Sequence, residues 1–353
     1  MFSAMFSETR SAFPIRETLS CLPSLCAVGS LTQGATAPPN CRIQTPLRCT
    51  PGVAREMAHI TWADKNAHNC PTEMLAFGFV RGEECAAHCD SRVSKLEGEG
   101  KTASAFETHN PPTAVLLHGI LGSGRTLTPF AQHLARLFPQ WKFVLPDLPC
   151  HGHSAHLIGP SNCLHGDTSM GAPTVRSCSA GVWEIMDFTG MTPNVIIGHS
   201  FGGKVALDML RQIPASTDHA IEVWILDSLP GEPRAGNGPN GDQDHPRDMI
   251  QMLMDVPPEQ ACRKKLKSCL SSKGLSNGIA SWMTTLARAH PDGPLRFNLD
   301  LQGVSRLYED YEQFDTWPVV RSPPPGVKIN FVRADQSLFK WGGGGEDVLK
   351  GAE

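Results

Sequence analysis

The sequence predicts an α/β fold: a mostly parallel sheet with helices on both faces. Three observations carry this. Short apolar runs alternate with helical patterns between Thr113 and Leu226, a helical excursion at about 230–325 delays the last strand, and a G-x-S-x-G turn sits where a strand gives way to a helix.

Met74–Val80 is a short, partly aromatic run ended by Gly82, and it reads as a strand. Residues 82–110 are polar and glycine-dotted, and read as one weak strand and a loop. Thr113–Leu117 is a buried-type strand bounded by Pro112 and Gly119. Thr126–Phe138 places Leu127, Phe130, Leu134 and Leu137 at helical spacing and stops at Pro139. Trp141–Leu145 is the next strand, Val175–Phe188 a helix, and Asn194–Ile197 a strand. Phe201–Ile213 is a helix closed by Pro214, and Ile221–Leu226 a further strand. A Gly/Pro/Asp loop, Gly231–Pro246, then leads into helical patterns at 247–254, 258–270, 275–288 and 303–314. Such an excursion between two strands is what a helical cap over the end of a sheet looks like. Val327–Val332 resumes the sheet.

Composition excludes several classes. With 31 basic and 35 acidic side chains the net charge is −4, so no basic excess exists to neutralise phosphates, and nucleic acid is not an expected partner. No stretch approaches ~18 consecutive apolar residues, so no transmembrane helix is expected. The 12 cysteines are scattered through a chain long enough to build a core without staples, and read as free thiols. Residues 1–60 form a separate region, disordered and outside the domain at 61–353. Up to Arg55 it holds five arginines, only Glu8 and Glu17 as acids, and recurrent Ser, Thr and Pro. It lacks the apolar block of a secretory signal and fits an organellar transit peptide.

The strongest motif is Gly198-His-Ser200-Phe-Gly202, directly after an apolar strand and before a helix. A sharp turn there lifts the Ser200 hydroxyl above the sheet, and the helix N-terminus behind it favours developing negative charge. Ser200 is the candidate nucleophile. The second motif, His118-Gly119-Ile120-Leu-Gly-Ser-Gly124, also follows a strand. It can turn a backbone N–H toward the attacked carbonyl, so the N–H groups of Ile120 and Phe201 would form an oxyanion hole. His118, Gly119 and His199 are supporting residues. The third, Asp147-Leu-Pro-Cys150-His151-Gly-His153-Ser154, invites a metal reading, as does Cys85/His88/Cys89. Neither has a second ligand pair at recognisable spacing, so no metal is expected; a serine nucleophile of this kind requires no cofactor.

These motifs, in this order, resemble the α/β-hydrolase superfamily. Within it the chain looks most like the branch of alpha/beta-hydrolase domain-containing protein 11, its bacterial esterase relatives, and a plant and algal chloroplast group. The likeness runs from about Pro112 to Trp341. It also rests on Trp224-Ile-Leu-Asp227-Ser-Leu-Pro-Gly231, Arg296-Phe-Asn-Leu-Asp300 and Phe331-Val-Arg-Ala-Asp-Gln-Ser337.

The resemblance implies a serine hydrolase acting on small ester or thioester substrates, and a chloroplast address, with mitochondrion or cytoplasm as alternatives. It also bears on the acid. In many superfamily members the carboxylate follows the seventh strand, near Ser337 here, which cannot hold an imidazolium; in the resembled branch it follows the sixth strand, where Asp227 stands. Asp335 is the alternative. The base expected after an eighth strand has no counterpart: the last histidine is His290, in the cap, and neither that strand nor its histidine follows Val332. Either the natural protein continues beyond Glu353, or the chain is a catalytically inactive binding protein. A substitute base would have to be His290 or His151.

Overall fold

The computed structural model describes residues 60–62, 74–82, 111–157, 173–213, 219–233, 245–257, 262–289, 293–334 and 337. The transit-like segment up to residue 59 and nearly all of 82–110 lie outside them.

Seven strands form the main sheet: β1 (Ile60–Trp62), β2 (Phe77–Arg81), β3 (Thr113–Leu117), β4 (Lys142–Pro146), β5 (Val195–His199), β6 (Ile221–Leu226) and β9 (Val327–Val332). Their order is β1-β2-β4-β3-β5-β6-β9. β1 and β2 run antiparallel to their neighbours, and the remaining pairs are parallel. The expected mostly parallel sheet is therefore observed. Among the described residues β9 is its edge, and its six residues are all half-buried.

The near-continuous apolar character of the inner strands follows from burial on both faces. Successive side chains point to opposite sides. Val115, Leu117, Ile196, Val223 and Ile225 join the larger core, with helices α2 (Val175–Thr189) and α3 (Phe201–Met209). Ala114, Leu116, Ile197, Trp224 and Leu226 face a smaller core covered by α1 (Gly124–Leu137) through Leu127, Phe130 and Leu134. Leu127, Phe130 and Leu134 form the buried stripe that the helical spacing predicted, whereas Leu137, the last residue of α1, is exposed instead of buried. The helix starts two residues earlier than expected because the buried Asp147 carboxylate accepts the Gly124 N–H (2.8 Å) and so caps its first turn.

The excursion after β6 comprises α4 (Pro246–Met254), α5 (Arg263–Ser272), α6 (Asn277–Thr284), strands β7 (Ala287–Ala289) and β8 (Leu295–Phe297), α7 (Leu301–Gln313) and α8 (Trp317–Arg321). The helix expected over 275–288 is shorter. The Thr284 and Thr285 hydroxyls bond back to the Ser281 and Trp282 carbonyls, Arg263 takes the Thr284 carbonyl, and the chain turns into an antiparallel β7–β8 hairpin. The first described part of the 258–270 pattern that is helical begins at Arg263. Among the described residues, no helix is long and apolar enough to cross a membrane.

Candidate active site

At the C-terminal end of β5, glycines allow three backbones to converge. A Cβ on Gly198 would lie 2.2 Å from the Gly202 carbonyl oxygen, and one on Gly202 would lie 2.5 Å from that of Leu117. No side chain fits at either position, which explains both glycines of the motif. Between them Ser200 adopts φ 50° and ψ −117°, a conformation that costs a non-glycine residue on the order of 1–3 kcal/mol. The Ser200 N–H donates to the Leu226 carbonyl (2.9 Å) and the Ser200 carbonyl accepts from Gly203 (2.8 Å), which holds the turn.

Because β5 pairs with β6 through His199 and Leu226, the next residues out, Ser200 and Asp227, stand side by side beyond the strand ends. Asp227 also has positive φ, 46°. Its N–H donates to the Val332 carbonyl (2.7 Å), and its carboxylate accepts from Ala334 N–H (3.3 Å) just past β9. Asp335 and His290 lie outside the described residues. On the β3 side, a Cβ on Gly119 would come within 3.0 Å of His199 Nδ1 and 3.4 Å of Ser200 Cβ, so the Gly119–Ile120 backbone passes directly against the serine. Phe201 opens α3, where an N–H has no intrahelical acceptor. His199 flanks the turn. It lines a small apolar gap with Leu116, Leu127, Phe130, Ile197 and Leu226, and burial pushes its pKa down against the opposing charge of Asp227.

His118 and His151 link two loops reciprocally. His118 Nε2 accepts the Leu148 N–H (3.0 Å) while His151 Nε2 accepts the Leu121 N–H (3.1 Å). The other nitrogens, His118 Nδ1 and His151 Nδ1, donate to the carbonyls of Gly119 (2.9 Å) and Pro149 (2.8 Å). Those partners assign a neutral Nδ1–H tautomer to both. Burial lowers both pKa values, that of His151 to about 3. His118 thus ties its loop to the one after β4. His151 cannot serve as a substitute base, since both of its nitrogens are occupied and the ring is buried.

The rest of the third motif is equally committed to structure. Burial raises the Asp147 pKa, but hydrogen bonds from the His153 side chain and backbone outweigh it and leave the carboxyl below its ordinary value. Gly152, with φ +54°, leaves the space this carboxylate occupies, since a Cβ would sit 2.3 Å from Asp147 Oδ2. The Cys150 thiol is pushed up to about 12, first by burial and then by Asp300. Among the described residues no cluster of three His, Cys, Asp or Glu could hold a metal ion.

Sequence reasoning missed the cap's contribution. Lys204, two residues past the motif, is buried and donates to the Tyr311 and Phe314 carbonyls (2.5 and 2.7 Å). It thereby caps the C-terminus of α7 with a cation. Burial lowers its pKa to about 8, opposed by Asp315 and Asp310. Both tyrosines of the chain, Tyr308 and Tyr311, lie on α7 with rings stacked at 5.6 Å, and Tyr311 also packs on Phe201 at 5.6 Å. That the two tyrosines fall three residues apart on one cap helix was the available signal.

The sequence profile of the alpha/beta hydrolase family matches residues 114–352. The chain belongs to this family. It is 27% identical over 219 residues to a protein of Xenopus laevis named sn-1-specific diacylglycerol lipase ABHD11, covering 61% of this chain and 62% of that protein. A magnesium-chelatase 30 kDa subunit of Rhodobacter capsulatus is 28% identical over 103 residues, covering 29% of this chain and 31% of the relative. The chain thus spans less than two thirds of the curated relatives it matches. Among solved structures, an esterase from a marine microorganism superposes with a TM-score of 0.51 at 18% identity, over 74% of this chain and 92% of that one, and shares its fold.

Proposed function

We propose that this family member is a serine hydrolase cleaving carboxylic ester or thioester bonds through an acyl-enzyme on Ser200. The observation that carries this reading is the strained Ser200 turn, held beside Asp227 with the Gly119–Ile120 backbone against it. In this reading Ser200 Oγ attacks the carbonyl, the Ile120 and Phe201 N–H groups receive the oxyanion, and Asp227 orients the base. Both nitrogens of His118 and of His151 are occupied, so in this reading the base is another histidine. Water then releases the acid, and no cofactor takes part. The frog relative is named a lipase, so acylglycerols are the first esters to try.

A fluorophosphonate probe tests the proposal on the natural full-length protein. Labelling is expected for the wild type and not for Ser200→Ala. A folded protein that takes no label would overturn the hydrolase reading in favour of an inactive binding protein.

A further inference from the structure

The Tyr311 side chain is 1% exposed, yet its hydroxyl completes no hydrogen bond of ordinary geometry. It faces the hydroxyls of Ser228 and Ser200, and Ser228 Oγ is likewise buried without a partner. A buried donor left unmade is costly, and phenylalanine would fill the same space without that cost. The placement is not loose. The phenol ring lies against Phe201, Lys204 Nζ stands 4.5 Å from its centroid, and the same ammonium holds the Tyr311 backbone carbonyl. The nucleophile's own helix therefore grips the cap helix at the residue whose hydroxyl faces the nucleophile.

We propose that Tyr311 is an active-site hydrogen-bond donor delivered by the cap, which bonds Ser200 Oγ, with Ser228 donating to the phenol from behind. This rests on the hydrolase reading. The polarity follows from the chemistry. Ser200 must give its proton to the base, so a lone pair of Oγ is what remains for a neighbour. Burial raises the phenol's pKa, so it stays a donor and cannot be the base. The donor matters most when water has added to the acyl-enzyme. As the C–Oγ bond breaks, the electron pair stays on Oγ, which is reprotonated by the protonated base, and a phenol O–H stabilises the charge meanwhile.

Pre-steady-state hydrolysis of p-nitrophenyl butyrate by wild type and Tyr311→Phe separates the steps. Deacylation is expected to slow about 10–100-fold, producing or enlarging a burst, with KM falling alongside kcat. Equal deacylation constants would overturn the proposal. Ser228→Ala, expected to slow the same step by less, serves if Tyr311→Phe does not fold; a deacylation constant equal to wild type in that variant would count against the proposal as well. Should the wild type neither label nor turn over, the hydrolase reading fails separately, and crystal structures of wild type and Ser228→Ala decide. Tyr311 Oη within hydrogen-bond distance of Ser200 Oγ in both supports the donor; Oη turned away from Ser200 overturns it.

Discussion

Lowering the pH should loosen the active-site edge through His151, and the size of the effect can be worked out. His151 is held neutral by burial, with a folded-state pKa of about 3 against an ordinary 6.5. The unfolded chain therefore binds a proton below pH 6.5 that the native chain refuses. Stability is full above pH 6.5, declines as the pH falls toward 3, and loses nothing further below. At pH 4.5 the deficit is two pH units, or about 3 kcal/mol, and its ceiling is about 5 kcal/mol. Against a typical folding free energy of about 5–15 kcal/mol this is a large fraction. His151→Gln isolates the effect, because the glutamine carbonyl can accept the Leu121 N–H while carrying no titratable proton. Urea unfolding of the full chain at pH 7.5, 6.5, 5.5 and 4.5 gives the curves. The variant should be less stable at pH 7.5 by about 1–3 kcal/mol, and should lose about 3 kcal/mol less than wild type on going to pH 4.5. Asp147, whose lowered pKa also favours the folded state above acid pH, is retained in both proteins. Parallel curves for the two proteins would refute the claim that a buried neutral His151 holds this loop.

Two further outcomes are expected. Gly198→Ala should destabilise the chain by about 3 kcal/mol or more, because its methyl would collide with Gly202 backbone that cannot move aside; Gly190→Ala, where only the positive φ is at issue and nothing lies within 4 Å, should cost about 1 kcal/mol, and the reverse order in urea unfolding would contradict the packing of the turn. Residues 1–60 fused to a fluorescent protein should direct it to chloroplasts in a plant or algal cell, and a diffuse or mitochondrial signal would reject that address.

The inner sheet was legible because its strands carry unbroken apolar runs closed by strong punctuation. Thr113–Leu117, Ile221–Leu226 and Val327–Val332 have the same bounds in sequence and structure. The turn at Ser200 was legible for a related reason, since its glycines are demanded by backbone contact and leave a fixed spacing. What escaped was built from long-range reciprocity. His118 and His151 each serve a loop thirty residues away, and no local pattern marks such an exchange. The three-residue strands of the β7–β8 hairpin are too short to show a period, and Ala287 simply continues the apolar spacing of the helix before it. Tyr311 fits the buried stripe of α7 together with Val304 and Leu307, so a core role accounted for it completely until its hydroxyl was placed.

The strain in the backbone explains why these separate devices belong together. Among the described residues, four non-glycine residues have positive φ: Leu121, Cys150, Ser200 and Asp227, at 59°, 65°, 50° and 46°. Each stands at or just beyond the C-terminal end of one of the parallel strands β3, β4, β5 and β6, the edge where open α/β sheets bind ligands. Each is held from outside its own loop. The Leu121 N–H is fixed by His151, the Cys150 carbonyl by the Asp300 N–H, the Ser200 N–H by Leu226 and the Asp227 N–H by Val332. Asp300 in turn begins α7, capping it through the Gly303 N–H, and the far end of α7 is gripped by Lys204 from behind Ser200. Cap and sheet edge therefore close a circuit through α7, in which conformations unfavourable one by one are kept by partners on a neighbouring strand or on the cap. On the proposed hydrolase reading, such an edge is preorganised for the charge that would develop at Ser200.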